Sequence, residues 1–371
     1  MSDALLIFGS TQRSAALRHE IPLAIVDPFL WVQSDDRTAA VLNVLERDRV
    51  LEAVPELEAL SPEALGVDEL AVSGLRWPEI DTEISVRAVA EVGVRNATVP
   101  GDFPLALADR LRAEGVGVEP DQALFDRRRR VKSEAELAGI RRAQLAADAG
   151  MAAAAELLGD VGDGRLTAET VRGAIREACA AHGAPAPPDI IVAPGAQAAG
   201  HEAGSGPLPA GVPIVIDLWP QDEASGCWAD MTRTFVIGEP PANVVEQHRL
   251  TLDALRRTTE ATRAGVPGSE LHDIACDVYE AAGHPTQRTK EKGEVLRDGF
   301  NHSLGHGVGL EVHEDPAVGR SGRDPLVAGD VVTLEPGTYR RDSGGVRLED
   351  LVLVTDGGCE VLTDFPYELA P

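Results

Sequence analysis

Along the first third of the chain, short apolar runs alternate with polar, helix-compatible stretches. The runs "IPLAIV" (21–26), "RTAAVLNVL" (37–45) and "RNATVP" (95–100) predict strands, and "PLALADRLRAEG" (104–115) predicts a helix that stops at a glycine. Alternation of that kind is an α/β pattern. A long Ala-rich helix follows over 133–158, where Ser133 and Glu136 have the spacing of a capping box. The basic run Arg127–Arg130 just before it reads as a solvated hinge pairing with nearby carboxylates. The boundary falls there, giving a smaller α/β domain over 1–130 and a second domain over 131–371.

The second domain carries a weak internal repeat. "LTAETVRGAIREACAAHGAP" (166–185) lies on "VPGSELHDIACDVYEAAGHP" (266–285) without a gap, and both end at glycine and then proline. Each follows a long helix, over 133–158 and roughly 241–264, and each precedes a histidine-bearing glycine loop and an apolar strand that ends in an acid. Two such units in succession predict a pseudo-twofold α+β domain whose sheets face a shared centre.

Composition narrows the function classes. A net charge of −27 makes nucleic acid and anionic membrane surfaces poor partners. The four cysteines are scattered without a CxxC pair, which fits a reduced, cytoplasmic chain. The apolar run near the N-terminus is too short and lacks the basic flank of a signal peptide, and no run is long enough to span a membrane.

The chemistry concentrates in "NHSLGHGVGLEVHEDP" (301–316), where His302, His306 and His313 stand among glycines at 305, 307 and 309. The H-E-x-x-H order of a zinc-protease helix is missing, and three glycines disfavour any helix. Asp217 and Glu335 each end an apolar strand, and an isolated charge there must be paired, hydrogen-bonded or metal-bound. Thirteen and fourteen positions later, Asp230 and Glu349 stand on what read as returning strands, with turns at "ASG" (224–226) and at Gly344–Gly345. Four converging acids cannot all stay ionised unaided, so either protons or divalent cations must resolve the repulsion. With one imidazole added, the set suits two ions about 3.5–4 Å apart that share bridging carboxylates. Its oxygen-rich composition points to Mn²⁺ ahead of Co²⁺, Zn²⁺ or Fe²⁺.

The motifs "DLWPQDEASGCWADMTRTF", "HSLGHGVGLEVHE", "TLEPGTY" and "GGVRLED" resemble, in order, those of the pita-bread metallopeptidases, in the prolidase and aminopeptidase P branch. The resemblance covers nearly the whole chain and implies a creatinase-like N-terminal domain, a pita-bread catalytic domain and a homodimer. It implies Asp217, Asp230, His306, Glu335 and Glu349 as metal ligands, with Asp230 and Glu349 bridging. His201, His302 and His313 would contact substrate, His313 would support the oxyanion, and Arg347 and Thr232 would orient ligands from behind. Asp217 and Asp230 are farther apart than is usual for that family, with the extra residues at the hairpin tip "PQDEAS", where they leave both ligands in place.

The implied activity is hydrolysis of the Xaa-Pro bond, in dipeptides or at the N-terminus of peptides, by a hydroxide that the two ions generate. Glu335 would carry the proton to the leaving nitrogen. Trp219 and Tyr339 would either line the proline pocket or belong to the core. Rival readings are a non-proline aminopeptidase of the methionine type, a hydrolase of non-peptide amides, and a silent protein-binding module. The complete set of acids argues against the last, and against the metal-free chemistry of creatinase.

Overall fold

Residues 3–35, 37–160, 166–200 and 202–371 are described by the computed structural model. They divide into two units, Met1–Arg129 and Arg130–Pro371. The first is built on strands β1 (Ala4–Gly9), β2 (Phe29–Gln33), β3 (Thr38–Val41), β4 (Glu58–Leu60), β5 (Asn96–Val99) and β6 (Gly117–Pro120). They form one sheet in the order β4-β3-β2-β1-β5-β6, antiparallel from β1 to β3 and parallel elsewhere. Successive side chains enter opposite faces: Leu6, Leu30 and Val32 join one core with the helix Trp77–Val92, while Ile7 and Trp31 join another with Phe125. Burial on both faces is why these strands read as apolar runs rather than as alternating ones.

Two of the predicted strands differ. Residues 21–26 have no ladder: Ile21 and Ile25 plug the core, and Thr11 Oγ1 donates to Leu23 O and accepts from Ile25 N at 2.7 Å. A side chain thus serves the backbone groups there, and the strand lies downstream in "FLWVQ". In 37–45 the strand ends at Val41, because Asn43 accepts from Leu45 N and Glu46 N and so caps the helix Val44–Ala53. The basic run forms the end of the helix Gln122–Arg130, where Arg128 meets Glu20, Arg129 meets Asp126 and Arg130 meets Asp330. It pairs with carboxylates as the sequence suggests, but Arg129 is buried rather than solvated.

In the second unit the Ser133–Glu136 capping box opens the helix Glu134–Gly159. Its stripe of Ile140, Ala143, Ala147, Met151 and Ala154 is buried against the helix Ala168–Ala181. The second helix pair is Ala242–Ala261 with Gly268–Ala281. The first sheet is the antiparallel β7 (Ile191–Pro194), β8 (Pro213–Leu218) and β9 (Met231–Val236). The second repeat supplies β10 (Gly305–Gly307), β11 (Glu314–Val318), β12 (Val331–Leu334), β13 (Gly337–Arg340), β14 (Gly344–Arg347), β15 (Asp350–Val354) and β16 (Cys359–Val361). Five of these make a sheet in the order β11-β10-β12-β15-β16, and β13 and β14 form a separate hairpin.

That hairpin corrects the simple turn read at Gly344–Gly345. The chain reverses at 341–343, and Gly344 opens β14 at φ +90°, against the Gly195 carbonyl where a Cβ has no room. Among the described residues no helix is long and apolar enough to cross a membrane. All four cysteines are free, three of them buried.

Candidate metal centre

Asp217 is the penultimate residue of β8 and Asp230 immediately precedes β9. Glu335 follows β12, and Glu349 sits between β14 and β15, beside the Leu334–Asp350 pair. The two repeats are joined where Glu349 N donates to Thr232 O at 3.0 Å. The join is extended by Thr234 Oγ1, which donates to Arg347 O at 2.9 Å and accepts from Arg347 N at 3.1 Å. Each acid therefore lies at or beside a strand end, with Asp217 in the β8–β9 ladder and Glu349 tied across to β9.

Asp230, His306 and Glu349 each offer a donor atom, and these atoms lie within 4.8 Å of one another. His306 Nε2 stands 3.7 Å from Asp230 Oδ2 and 3.6 Å from Glu335 Oε1. Its Nδ1 lies 3.1 Å from the Gly307 carbonyl, which requires the proton on Nδ1 and leaves the Nε2 lone pair facing the acids. Asp217 is tied in through Arg347, whose Nη2 donates to Asp217 Oδ2 at 2.5 Å. The Nε of the same guanidinium donates to Thr232 Oγ1 at 3.1 Å, and that hydroxyl donates onward to Glu349 Oε2 at 2.7 Å.

Electrostatics make this cluster costly as it stands. Burial, then the neighbouring carboxylates, push Asp230 and Glu335 well above the usual carboxylate range, and burial with Asp217 beside it pushes Glu349 up to about 8. Burial, with His313 alongside, depresses His306 to about 4, so its ring is neutral near pH 7. Among the described residues, Asp217 Oδ1 and Asp230 Oδ1 are buried without a hydrogen-bond partner. Buried carboxylate oxygens in that state call for a cation or a proton. Four carboxylates and one imidazole lone pair fit divalent metal ions in donor type and in charge.

The remaining candidates surround this core unevenly. His302 Nδ1 is 3.9 Å from Glu335 Oε2, and its Nε2 is 3.1 Å from Tyr339 Oη. That phenol accepts from Arg347 Nη1 at 2.9 Å, so Tyr339 links His302 to the guanidinium. His313 is exposed, its ring edge-on to His306 with centroids 4.3 Å apart. His201 lies outside the described residues. Trp219 is half-buried and packs on the core under β7 and β8. The tip "PQDEAS" folds back onto the long helix, where Asp222 takes Arg142 Nε and Nη2 at 2.9 and 2.8 Å.

Close packing against neighbouring chain segments accounts for glycines 305, 307 and 309. A Cβ at Gly305 would run into the Thr333 carbonyl, and one at Gly307 into the Asp315 carbonyl. At Gly309 a Cβ would lie 2.5 Å from Glu314 Oε1. Strand packing excludes the side chains. Sequence reasoning missed Thr234, and it missed Arg233, which is 1% exposed and bonds the carbonyls of Thr232, Glu349, Phe365 and Pro366. The signal was present: Thr232 and Thr234 are polar residues two apart inside a strand that is otherwise apolar or buried.

Residues 138–356 match metallopeptidase family M24. The chain is 32% identical over 336 residues to the probable dipeptidase PepE of Mycobacterium bovis, covering 90% of this chain and 84% of that protein. It is 33% identical over 291 residues to the Xaa-Pro dipeptidase of Pyrococcus horikoshii, covering 75% of each. The solved structure of the Xaa-Pro dipeptidase from Bacillus anthracis matches with a TM-score of 0.80 at 25% identity, covering 99% of this chain and 94% of that one. The fold is accordingly α+β, with a pita-bread domain preceded by a smaller one. The chain belongs to metallopeptidase family M24, and it is a peptidase of the prolidase-like, metal-dependent kind.

Proposed function

We propose that this chain hydrolyses the bond between an N-terminal residue and proline. In this reading Asp217, Asp230, His306, Glu335 and Glu349 hold two divalent ions, Mn²⁺ before Co²⁺, Zn²⁺ or Fe²⁺. The observation that carries it is the pair of buried, unpartnered oxygens, Asp217 Oδ1 and Asp230 Oδ1, beside an imidazole lone pair. The unit Met1–Arg129 is read as a creatinase-like domain, and a homodimer is the assembly expected.

When bound, such ions supply Lewis acidity and lower the pKa of water they coordinate. The chain's own residues do the rest. Arg347 fixes Asp217 directly and Glu349 through Thr232, so both acids present constrained oxygens. Glu335, beside His306 and His302, is the group placed to carry a proton to the prolyl nitrogen, which cannot leave as an anion. His313 is exposed beside His306 and can donate to the scissile carbonyl oxygen. His302, held through Tyr339, borders the side where Glu335 works. A proline amide nitrogen bears no hydrogen and its ring fixes φ near −65°, so a pocket of imidazole and apolar walls suits it without an acceptor.

Both sequence relatives above carry dipeptidase names, which favours the dipeptide over the longer peptide. The test uses metal-stripped protein restored with Mn²⁺, Co²⁺ or Zn²⁺, assayed on Ala-Pro, Ala-Ala and tripeptide versions of each. Preference for Ala-Pro is expected. Equal kcat/KM for Ala-Pro and Ala-Ala would sink the proline reading, and cleavage of the tripeptide alone would select the aminopeptidase arm.

A further inference from the structure

Of the 34 lysines and arginines only three are lysines, Lys132, Lys290 and Lys292. Lys132 is the buried one, 6% exposed, and its Nζ pairs with Glu314, both side chains being almost wholly enclosed. A buried ion pair is a costly device and weak evidence for stability by itself, which directs attention to what it holds in place. Glu314 begins β11 and follows His313 directly.

The surrounding backbone forms a closed loop. Its neck is the pairing of Gly307 with Glu314, and Val308 N is anchored to Val331 O at 2.9 Å. Inside the loop Gly309 N donates to Glu311 O at 3.0 Å, and Gly309 O accepts from Trp228 N at 2.8 Å. Glu314 Oε2 accepts from Glu311 N at 3.3 Å, so the carboxylate that faces Lys132 also closes the turn. Gly309 lies so close to the pair that an added Cβ would meet both Glu314 Oε1 and Lys132 Cε. His313 is the bend residue immediately before the strand, and it is exposed. With Glu314 drawn inward to Lys132, His313 is turned outward, where its ring meets His306. A compact ammonium fits this enclosed position where a planar guanidinium demands a wider one.

We infer that Lys132 is a positioning residue of the peptidase reaction, acting through Glu314 to aim His313 at the scissile carbonyl. The inference rests on the proposed role of His313. Without Lys132 the Glu314 carboxylate loses the ammonium it faces, the Glu311 turn loosens, and His313 samples other orientations while the ligand set stays untouched.

The experiment is a double-mutant cycle on the Mn²⁺-loaded full chain with Ala-Pro, measuring kcat, KM and bound metal for K132M, H313A and K132M/H313A. Because K132M removes the cation beside a buried carboxylate and endangers folding, E314Q and E314Q/H313A run in parallel; the E314Q amide oxygen can still accept from Glu311 N. K132M and E314Q are expected to lower kcat by roughly 10–100-fold, as a misplaced group does, with KM and metal content near wild type. In the H313A background neither change should lower kcat further. A normal loss in H313A with effects that multiply in the double variants, or loss of metal in K132M and E314Q alike, overturns the positioning role alone. H313A with wild-type kcat overturns the reading of His313 and this inference with it.

Discussion

Thr232→Val tests whether the acids are held for metal by the network behind them. Thr232 is fully buried on β9, and its hydroxyl donates to Glu349 Oε2 at 2.7 Å while accepting from Arg347 Nε at 3.1 Å. Valine keeps the volume and suits a strand, so the backbone should not move. What is lost is one hydrogen bond to a carboxylate, which contributes about 1.5–3 kcal/mol. The Arg347 Nε proton is also left without its acceptor, although Nη1 and Nη2 keep Tyr339 and Asp217. At about 1.4 kcal/mol per tenfold, the Glu349 bond alone corresponds to roughly 10–100-fold in metal affinity. The assay is chelator competition for Mn²⁺ on the stripped protein, comparing wild type, T232V and T232S. The serine variant retains the hydroxyl and should bind within a few-fold of wild type. Affinity of T232V within about twofold of wild type would refute the reasoning, and so would T232S as weak as T232V, since the methyl rather than the hydroxyl would then be at work.

Further expectations follow from the same contacts. Asp230, Glu335 and Glu349 have folded pKa values raised above the unfolded range of about 4. The native metal-free state therefore binds more protons than the unfolded one above that range. Its stability is full below about pH 4 as far as these groups go, and is lost as pH rises toward the Glu349 value of about 8. Melting of EDTA-treated protein from pH 5 to 8 should show that fall, weakened in E349Q and reversed by Mn²⁺; a Tm that rises with pH in the metal-free protein but not in E349Q contradicts it. Arg233→Met should cost about 3–5 kcal/mol in urea unfolding, since it leaves buried Asp350 without its 2.9 Å partner. Arg141→Met at the exposed Glu360 pair should cost about 0–1 kcal/mol, so equal losses would count against the burial argument.

What the sequence revealed was whatever a local pattern can encode. Ser133 and Glu136 announce a helix because both capping partners lie within one turn. The four acids stood out because each ends or re-enters an apolar strand, where a lone charge is untenable, and their near-equal spacing in two repeats made coincidence a poor account. Residues 21–26 misled for the same reason: apolar enrichment reports burial, not the ladder, and Thr11, at least ten positions earlier, decided where the backbone bonds go. Arg233 is the harder case. A cation at the centre of a buried strand looks like an error in any hydrophobic pattern, and its partners Glu349, Asp350, Phe365 and Pro366 all lie more than 110 residues downstream. Yet it bonds both Thr232 O and Glu349 O, the same two backbone positions whose side chains meet in the site. The guanidinium behind the strand fixes the main chain of the residues whose opposite faces carry the chemistry. A charge with no local sense thus becomes intelligible as the fastener between two repeats, each of which brings only part of the site.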